Sequence, residues 1–264
     1  MMTTHAIALN PDPEPVFPDG QVTMHWHVAA PHPTRNRVGI LALPIQGGDY
    51  DVSTHFAVHF AEKGFQVLRF ERRAEWLEAS RSIEDLGRLA LQYRRDVVRG
   101  LDQWLDNDDM PATRFGLMGV SMGSMMGAGV AGTDPRIEAA VLCIGGGDMA
   151  DVLAHGDDTE LNQYRGDLAK RLQVSEAELL ERFREALDPI DSTVHAPKVP
   201  TDRTLFFGAR FDRVVPWRNN TLLWEALGKP KRYILPCGHY SAVAFVPLIR
   251  WLSVRHFDRL LCGR

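Results

Sequence analysis

Short, nearly continuous apolar runs alternate along this chain with longer segments whose apolar residues recur at helical spacing. That alternation restricts the fold more than any other feature. Val38–Leu43 (VGILAL), Gln66–Phe70, Phe115–Gly119, Ile137–Ile144 and residues 204–208 and 232–235 read as strands. Runs of this kind suit strands covered on both faces. Val22–Ala29 alternates apolar and polar residues instead, as a half-covered strand does. A helix is expected over Ser53–Lys63, where Phe56 and Phe60 lie one turn apart and Gly64 can end it. A longer helix starts near Ser82, with Ser82 and Asp85 resembling a capping box. Leu86, Leu89, Tyr93, Val97, Leu101 and Trp104 share one of its faces. Further helices are expected after Ser121, over Asn220–Leu227 and over Ala242–Phe257. The pattern predicts an α/β fold with a mostly parallel central sheet and helices on both faces. In such sheets ligands bind beyond the carboxyl ends of the strands. The loops after Leu43, Gly119, Ile144, Phe207 and Leu235 are therefore the ones to inspect.

The 264 residues suit one domain. Residues 1–21, with four prolines, read as an N-terminal arm that is mobile or hugs the surface, and 22–264 as the domain. About 60 residues separate the strands at 137–144 and 204–208. They read as a small helical cap insertion at about 148–200. It holds a capping-box helix, Ser175 to Leu187, ended by Asp188-Pro189.

A formal charge of −4 and the lack of a basic block argue against nucleic acid. The arm lacks the basic start and apolar run of a secretory signal, and no stretch reaches the length of a membrane span. Cys143, Cys237 and Cys262 make no disulfide framework and read as buried small residues. The cytoplasm is the expected compartment. A small molecule is the expected partner, with neither nucleic acid nor membrane; the oligomeric state stays open, a homodimer among the options.

Gly119-Val120-Ser121-Met122-Gly123 holds the candidate nucleophile, Ser121. A serine at a tight strand-to-helix turn is held in strained dihedrals that project its oxygen into the site. Side chains at the flanking positions would collide with neighbouring backbone, hence the glycines. The motif alone is weak. Its setting, between the apolar run at 115–118 and a small-residue helix, is the one the chemistry needs. His239, in Pro236-Cys237-Gly238-His239-Tyr240, follows the last strand and is the candidate base. His155 and His195 are held in reserve, and His25 and His27 read as structural. Asp212, in Gly208-Ala209-Arg210-Phe211-Asp212-Arg213-Val214-Val215-Pro216, can orient the imidazole and stabilise its protonated form. The bland alternative is an ion pair from Asp212 to Arg210 or Arg213. Asp148 is the second candidate for the acid.

With these three ordered pieces, the chain resembles the α/β-hydrolase superfamily over about residues 22–258. The resemblance implies acyl transfer to water through a covalent acyl-serine, with catalytic Ser121, Asp212 and His239 and no cofactor or metal. It also implies an oxyanion hole of backbone N–H groups, from Met122 and from Gln46 in Leu43-Pro44-Ile45-Gln46-Gly47-Gly48. The His-Gly that family members often carry there is missing, which leaves Gln46 and Gly47 both open.

Met149, Leu153 and Trp217 are candidate substrate contacts, with Met122, Met125 and Val152 beside them. Trp76 and the loop Asp49-Tyr50-Asp51 can border the entrance. A carboxylester is the favoured substrate. Thioesters, amides, lactones and C–C bonds are alternatives on the same triad, and a non-catalytic ligand-binding protein is the rival class. His55 and His59 have a zinc-like spacing but lack the intervening Glu of the zinc-protease motif. Metal chemistry through them, or through Cys237 and His239, is disfavoured.

Overall fold

The computed structural model describes residues 2–46 and 51–263. Eight strands are described: β1 Thr3–Ala8, β2 Thr23–Val28, β3 Val38–Ala42, β4 Gln66–Phe70, β5 Arg114–Val120, β6 Ile137–Cys143, β7 Thr204–Ala209 and β8 Lys231–Leu235. They form one sheet in the order β1-β2-β4-β3-β5-β6-β7-β8. Strands β3 to β8 pair in parallel. β1 and β2 add antiparallel at one edge.

The helices are α1 Asp51–Glu62, α2 Glu84–Leu105, α3 Met122–Ala131, α4 Met149–His155, α5 Thr159–Leu172, α6 Glu176–Leu187, α7 Ser192–His195, α8 Trp217–Ala226 and α9 Val246–Leu261. Strand β3 explains why its sequence is apolar throughout. Val38, Ile40 and Ala42 face a core shared with Phe56 and Phe60 of α1 and Phe257 of α9. Leu41 and Leu43 face the opposite core, with Leu86, Leu101 and Trp104 of α2 and Met126 of α3. Helices cover both faces, as the strand–helix alternation predicts. Three short 3₁₀ turns, Asp188–Ile190, Ala196–Lys198 and Thr201–Arg203, lie between the end of α6 and β7.

The N-terminal arm differs from its expected description. Thr3–Ala8 pairs along its whole length with β2, so the sheet begins before residue 22. The arm then runs beside α2. Asn10 and Val16 donate their amides to Gln103 and Gln92 at 2.9 and 2.8 Å, and the Asp12 carboxylate meets Arg95 and Arg99. An almost fully exposed strand carries no apolar alternation, so hydropathy could not reveal it.

The chain passes from β3 to β4 on one side, then returns to β5 on the other side of β3. From β5 it proceeds in one direction to β8. The strand order therefore reverses at β3 and β5. Loops leaving those two strands diverge and open a crevice beyond their carboxyl ends. Gln46 follows the first and Ser121 follows the second.

The segment between β6 and β7 carries α4 to α7. It is pinned by Asp191, a buried carboxylate that accepts from the amides of Met149 at 2.7 Å and Thr193 at 2.9 Å. The buried Arg94 of α2 donates to the carbonyl of Ile190 next to it.

Candidate active site

Ser121 sits between β5 and α3 with φ 53° and ψ −121°, a conformation non-glycine residues avoid. The turn is held because the Ser121 amide donates to Cys143 O at 2.9 Å, and Ser121 O accepts from the amides of Ser124 and Met125. Both flanking glycines are forced. A Cβ on Gly119 would lie 2.2 Å from Gly123 O, and one on Gly123 would lie 2.8 Å from Pro44 O. These are backbone obstacles that no rotamer can avoid. The amides of Met122 and Gly123 open the first turn of α3, where a helix has no acceptor for them. The helix dipole adds partial positive charge at that point.

His239 and Asp212 come from different loops and meet. His239 Nδ1 lies 2.7 Å from Asp212 Oδ2, and both side chains are largely shielded from water. The other oxygen, Oδ1, accepts from the amides of Val214 and Val215, each at 2.9 Å. With Asp212 as a carboxylate, Nδ1 is the donor and Nε2 is left to accept a proton. The alternative ion pairs do not form. Arg210 stacks over Trp217 at 4.8 Å, and Arg213 pairs with Asp157. Asp148 instead caps α4, accepting from the Asp151 amide at 2.9 Å. His155 pairs with Asp151 on that helix, and His195 lies on α7. His25 pairs with Glu71, and His27 is buried. Burial, then the charges of Arg69 and His25, hold His27 down to about 4.

Ser121 and His239 line one cavity of about 450 Å³. Gln46, Met122, Met149 and Leu153 line it as well, together with Met125, Val152 and Trp76. Trp217 does not reach it, which corrects the reading of that residue as a substrate contact. Its ring packs against two guanidinium groups, Arg232 at 4.1 Å and Arg210 at 4.8 Å, a use that residue type alone could not disclose. Gly47 and the loop segment Asp49-Tyr50 lie outside the described residues; Asp51 begins α1.

The cavity crosses the end of the sheet. Trp76, Leu86, Met125, Met149, Val152 and Leu187 belong to the core on the α2/α3 side. Phe56, Ile144, Ala242 and Ile249 belong to the core on the α1/α9 side. The second group was missed in the sequence, because its residues are ordinary helix-core positions until the sheet brings them to one edge. Arg72 was missed too. Its nearly inaccessible guanidinium donates to Gln46 O and grips the Glu75 carboxylate at 2.9 and 2.8 Å, so it ties down the loop after β3. Among the described residues, no group of three His, Cys, Asp or Glu could hold a metal ion. Nor is any helix among them long and apolar enough to cross a membrane.

Comparison with solved structures fits this arrangement. An esterase of Pyrococcus furiosus, Pf2001, is similar over 98% of this chain and 93% of its own, with a TM-score of 0.68 at 12% identity. A cold-adapted esterase from an Arctic intertidal metagenomic library is similar over 98% and 94%, with a TM-score of 0.62 at 16% identity. The fold is that of the α/β-hydrolases. The acylaminoacyl peptidase of Pyrococcus horikoshii shares it over 99% of this chain but 42% of its own, with a TM-score of 0.69 at 15% identity. In sequence, the uncharacterized protein YdjC of Bacillus subtilis (strain 168) is 36% identical over 56 residues. That match covers 21% of this chain and about half, 48%, of YdjC. No protein-family model matches the chain. Within the α/β-hydrolase fold, the serine turn, the Asp212–His239 pair and the crevice at β3 and β5 all fall on the carboxyl edge of the sheet.

Proposed function

We propose that this α/β-hydrolase-fold chain is a serine hydrolase, acting on carboxylesters through Ser121, His239 and Asp212. The observation that carries the reading is the strained Ser121 turn sharing an apolar cavity with an imidazole whose far nitrogen is held by a shielded carboxylate. In the proposed reaction Ser121 Oγ attacks the ester carbonyl carbon while His239 Nε2 takes its proton. The carbonyl oxygen becomes an oxyanion, stabilised by the N–H groups of Met122 and Gln46. Collapse breaks the bond to the alcohol, which leaves with the proton from His239. Water, deprotonated by the same imidazole, then releases the acid and restores Ser121. Arg72 supports the hole indirectly by fixing the Gln46 carbonyl. Met149 and Leu153 contribute to an apolar wall that favours uncharged acyl chains. Two of the structurally similar proteins are esterases, which supports the choice of ester, and the cytoplasm is the proposed compartment.

The test is labelling with a fluorophosphonate, followed by peptide mapping. The reading expects one adduct, on Ser121, absent from Ser121→Ala. A folded wild type that stays unlabelled overturns it. A p-nitrophenyl ester series from acetate to decanoate then reads the acyl length.

A further inference from the structure

The turn between α4 and α5, residues 156–158, rests on both loops that carry the triad partners. At Gly156 the approach is close enough that a Cβ would lie 2.4 Å from Val214 O. The Asp157 amide donates to Arg213 O at 2.8 Å, and its carboxylate pairs with the Arg213 guanidinium. Those contacts fall on the two residues that follow Asp212. Asp158 makes the third contact, on the other loop. Its Oδ2 accepts from the Tyr240 hydroxyl, while its Oδ1 accepts from the Glu160 amide at 2.8 Å. Tyr240 directly follows His239, and its ring stands edge-on to the imidazole, with centroids 5.5 Å apart at 83°. Asp158, His239 and Tyr240 all line the cavity that holds Ser121.

We propose that Asp158 is a positioning residue for His239, acting through Tyr240: the carboxylate anchors the phenol, and the phenol ring braces the imidazole. The proposal rests on the hydrolase reading above. Its physical basis is that Tyr240 is 70% exposed and has little packing of its own to fix it. A hydrogen bond to a carboxylate is stronger than one to a neutral acceptor. Burial works against the Asp158 carboxylate, but the Tyr240 hydroxyl, the Glu160 and Leu161 amides and His239 outweigh it and hold its carboxyl below the ordinary range. Partial burial and the Asp158 carboxylate push the Tyr240 hydroxyl up to about 12, so it remains the donor at neutral pH. The segment between β6 and β7 thereby acts on the base as well as walling the cavity.

The experiment measures kcat and KM on a p-nitrophenyl ester, the phosphonylation rate of Ser121, and the melting temperature. Asp158→Ala should lower kcat and the phosphonylation rate about five- to tenfold with KM within about twofold, the loss of one charged hydrogen bond that orients the base. Tyr240→Phe should match it, and the double variant should cost no more than either single change. Asp158→Asn should fall between wild type and Asp158→Ala: its one carbonyl oxygen keeps the α5 cap, and the NH₂ then facing the phenol donates to the phenol oxygen, a neutral bond in place of the charged one. Tyr240→Phe leaves that cap untouched, so a folding defect in Asp158→Ala cannot mimic the result. Wild-type kcat in Asp158→Ala or Tyr240→Phe, a change confined to KM, or additive losses would each overturn the positioning role while leaving the hydrolase reading intact. An unlabelled, inactive wild type overturns both.

Discussion

Asp212→Asn separates a catalytic carboxylate from a structural one. In the native site one Asp212 oxygen accepts two backbone amides and the other meets His239 Nδ1 at 2.7 Å. The asparagine carbonyl can keep both amide bonds. Its NH₂ group then faces Nδ1, and two donors cannot share that contact. The imidazole must move its proton to Nε2, the nitrogen that should accept from Ser121. Where this substitution imposes the wrong tautomer on a serine triad, kcat falls about 10⁴-fold, equivalent to about 5.5 kcal/mol of barrier. Stability should barely change. Asp212→Ala differs because it strips the acceptor from the Val215 amide, in a buried residue. An orphaned buried amide costs about 1–3 kcal/mol. For a domain of this size that lowers the melting temperature by roughly 2–10 °C. Turnover of a p-nitrophenyl ester and a thermal melt on both variants suffice. An Asn variant within tenfold of wild-type kcat would refute the tautomer argument. Equal destabilisation by Asn and Ala would show that Asp212 serves mainly to hold its loop.

Gly119→Ala should lose more than about 3 kcal/mol in urea unfolding, because the new methyl meets backbone that cannot yield; wild-type stability would contradict the elbow geometry. Met125→Trp should shift the preferred p-nitrophenyl ester to a shorter acyl chain, since Met125 lines the cavity; an unchanged chain-length profile would place the acyl group elsewhere. Burial is the leading cause that holds His27, His59 and His256 down to about 4. Unfolded, they titrate near 6.5, so the folded state binds fewer protons between those values. Their contribution is complete above about pH 6.5 and is lost as pH falls through about 4. The melting temperature should therefore drop on acidification across that window, and His256→Gln should flatten the slope; an unchanged slope would argue against a buried neutral His256.

Much of the scaffold was legible because its signals are local. Gln66–Phe70 is a strand with the bounds its apolar run suggests. The Ser175–Glu178 capping box opens α6, and both of its hydrogen bonds form. Ser82 and Asp85 exchange hydrogen bonds at 3.3 Å across the start of α2. Strand β1 was not legible, because an exposed edge strand buries no face and carries no period. The use of Trp217 was equally hidden, since it opens α8 and Arg232 reaches it from β8.

The Gly-Val-Ser-Met-Gly turn can be argued from sequence alone, because its strain and its glycines are properties of five consecutive residues. Asp212 and His239 could be nominated from their places after late strands. That they meet at 2.7 Å depends on β7 and β8 lying side by side. Asp158 had no signal at all: it lies 82 residues from Tyr240, and only the docking of the segment between β6 and β7 brings the two together. Local backbone chemistry thus marks where a nucleophile can be held. Which groups surround it is decided by contacts between distant segments, which arise only when the sheet edge and its covering helices assemble.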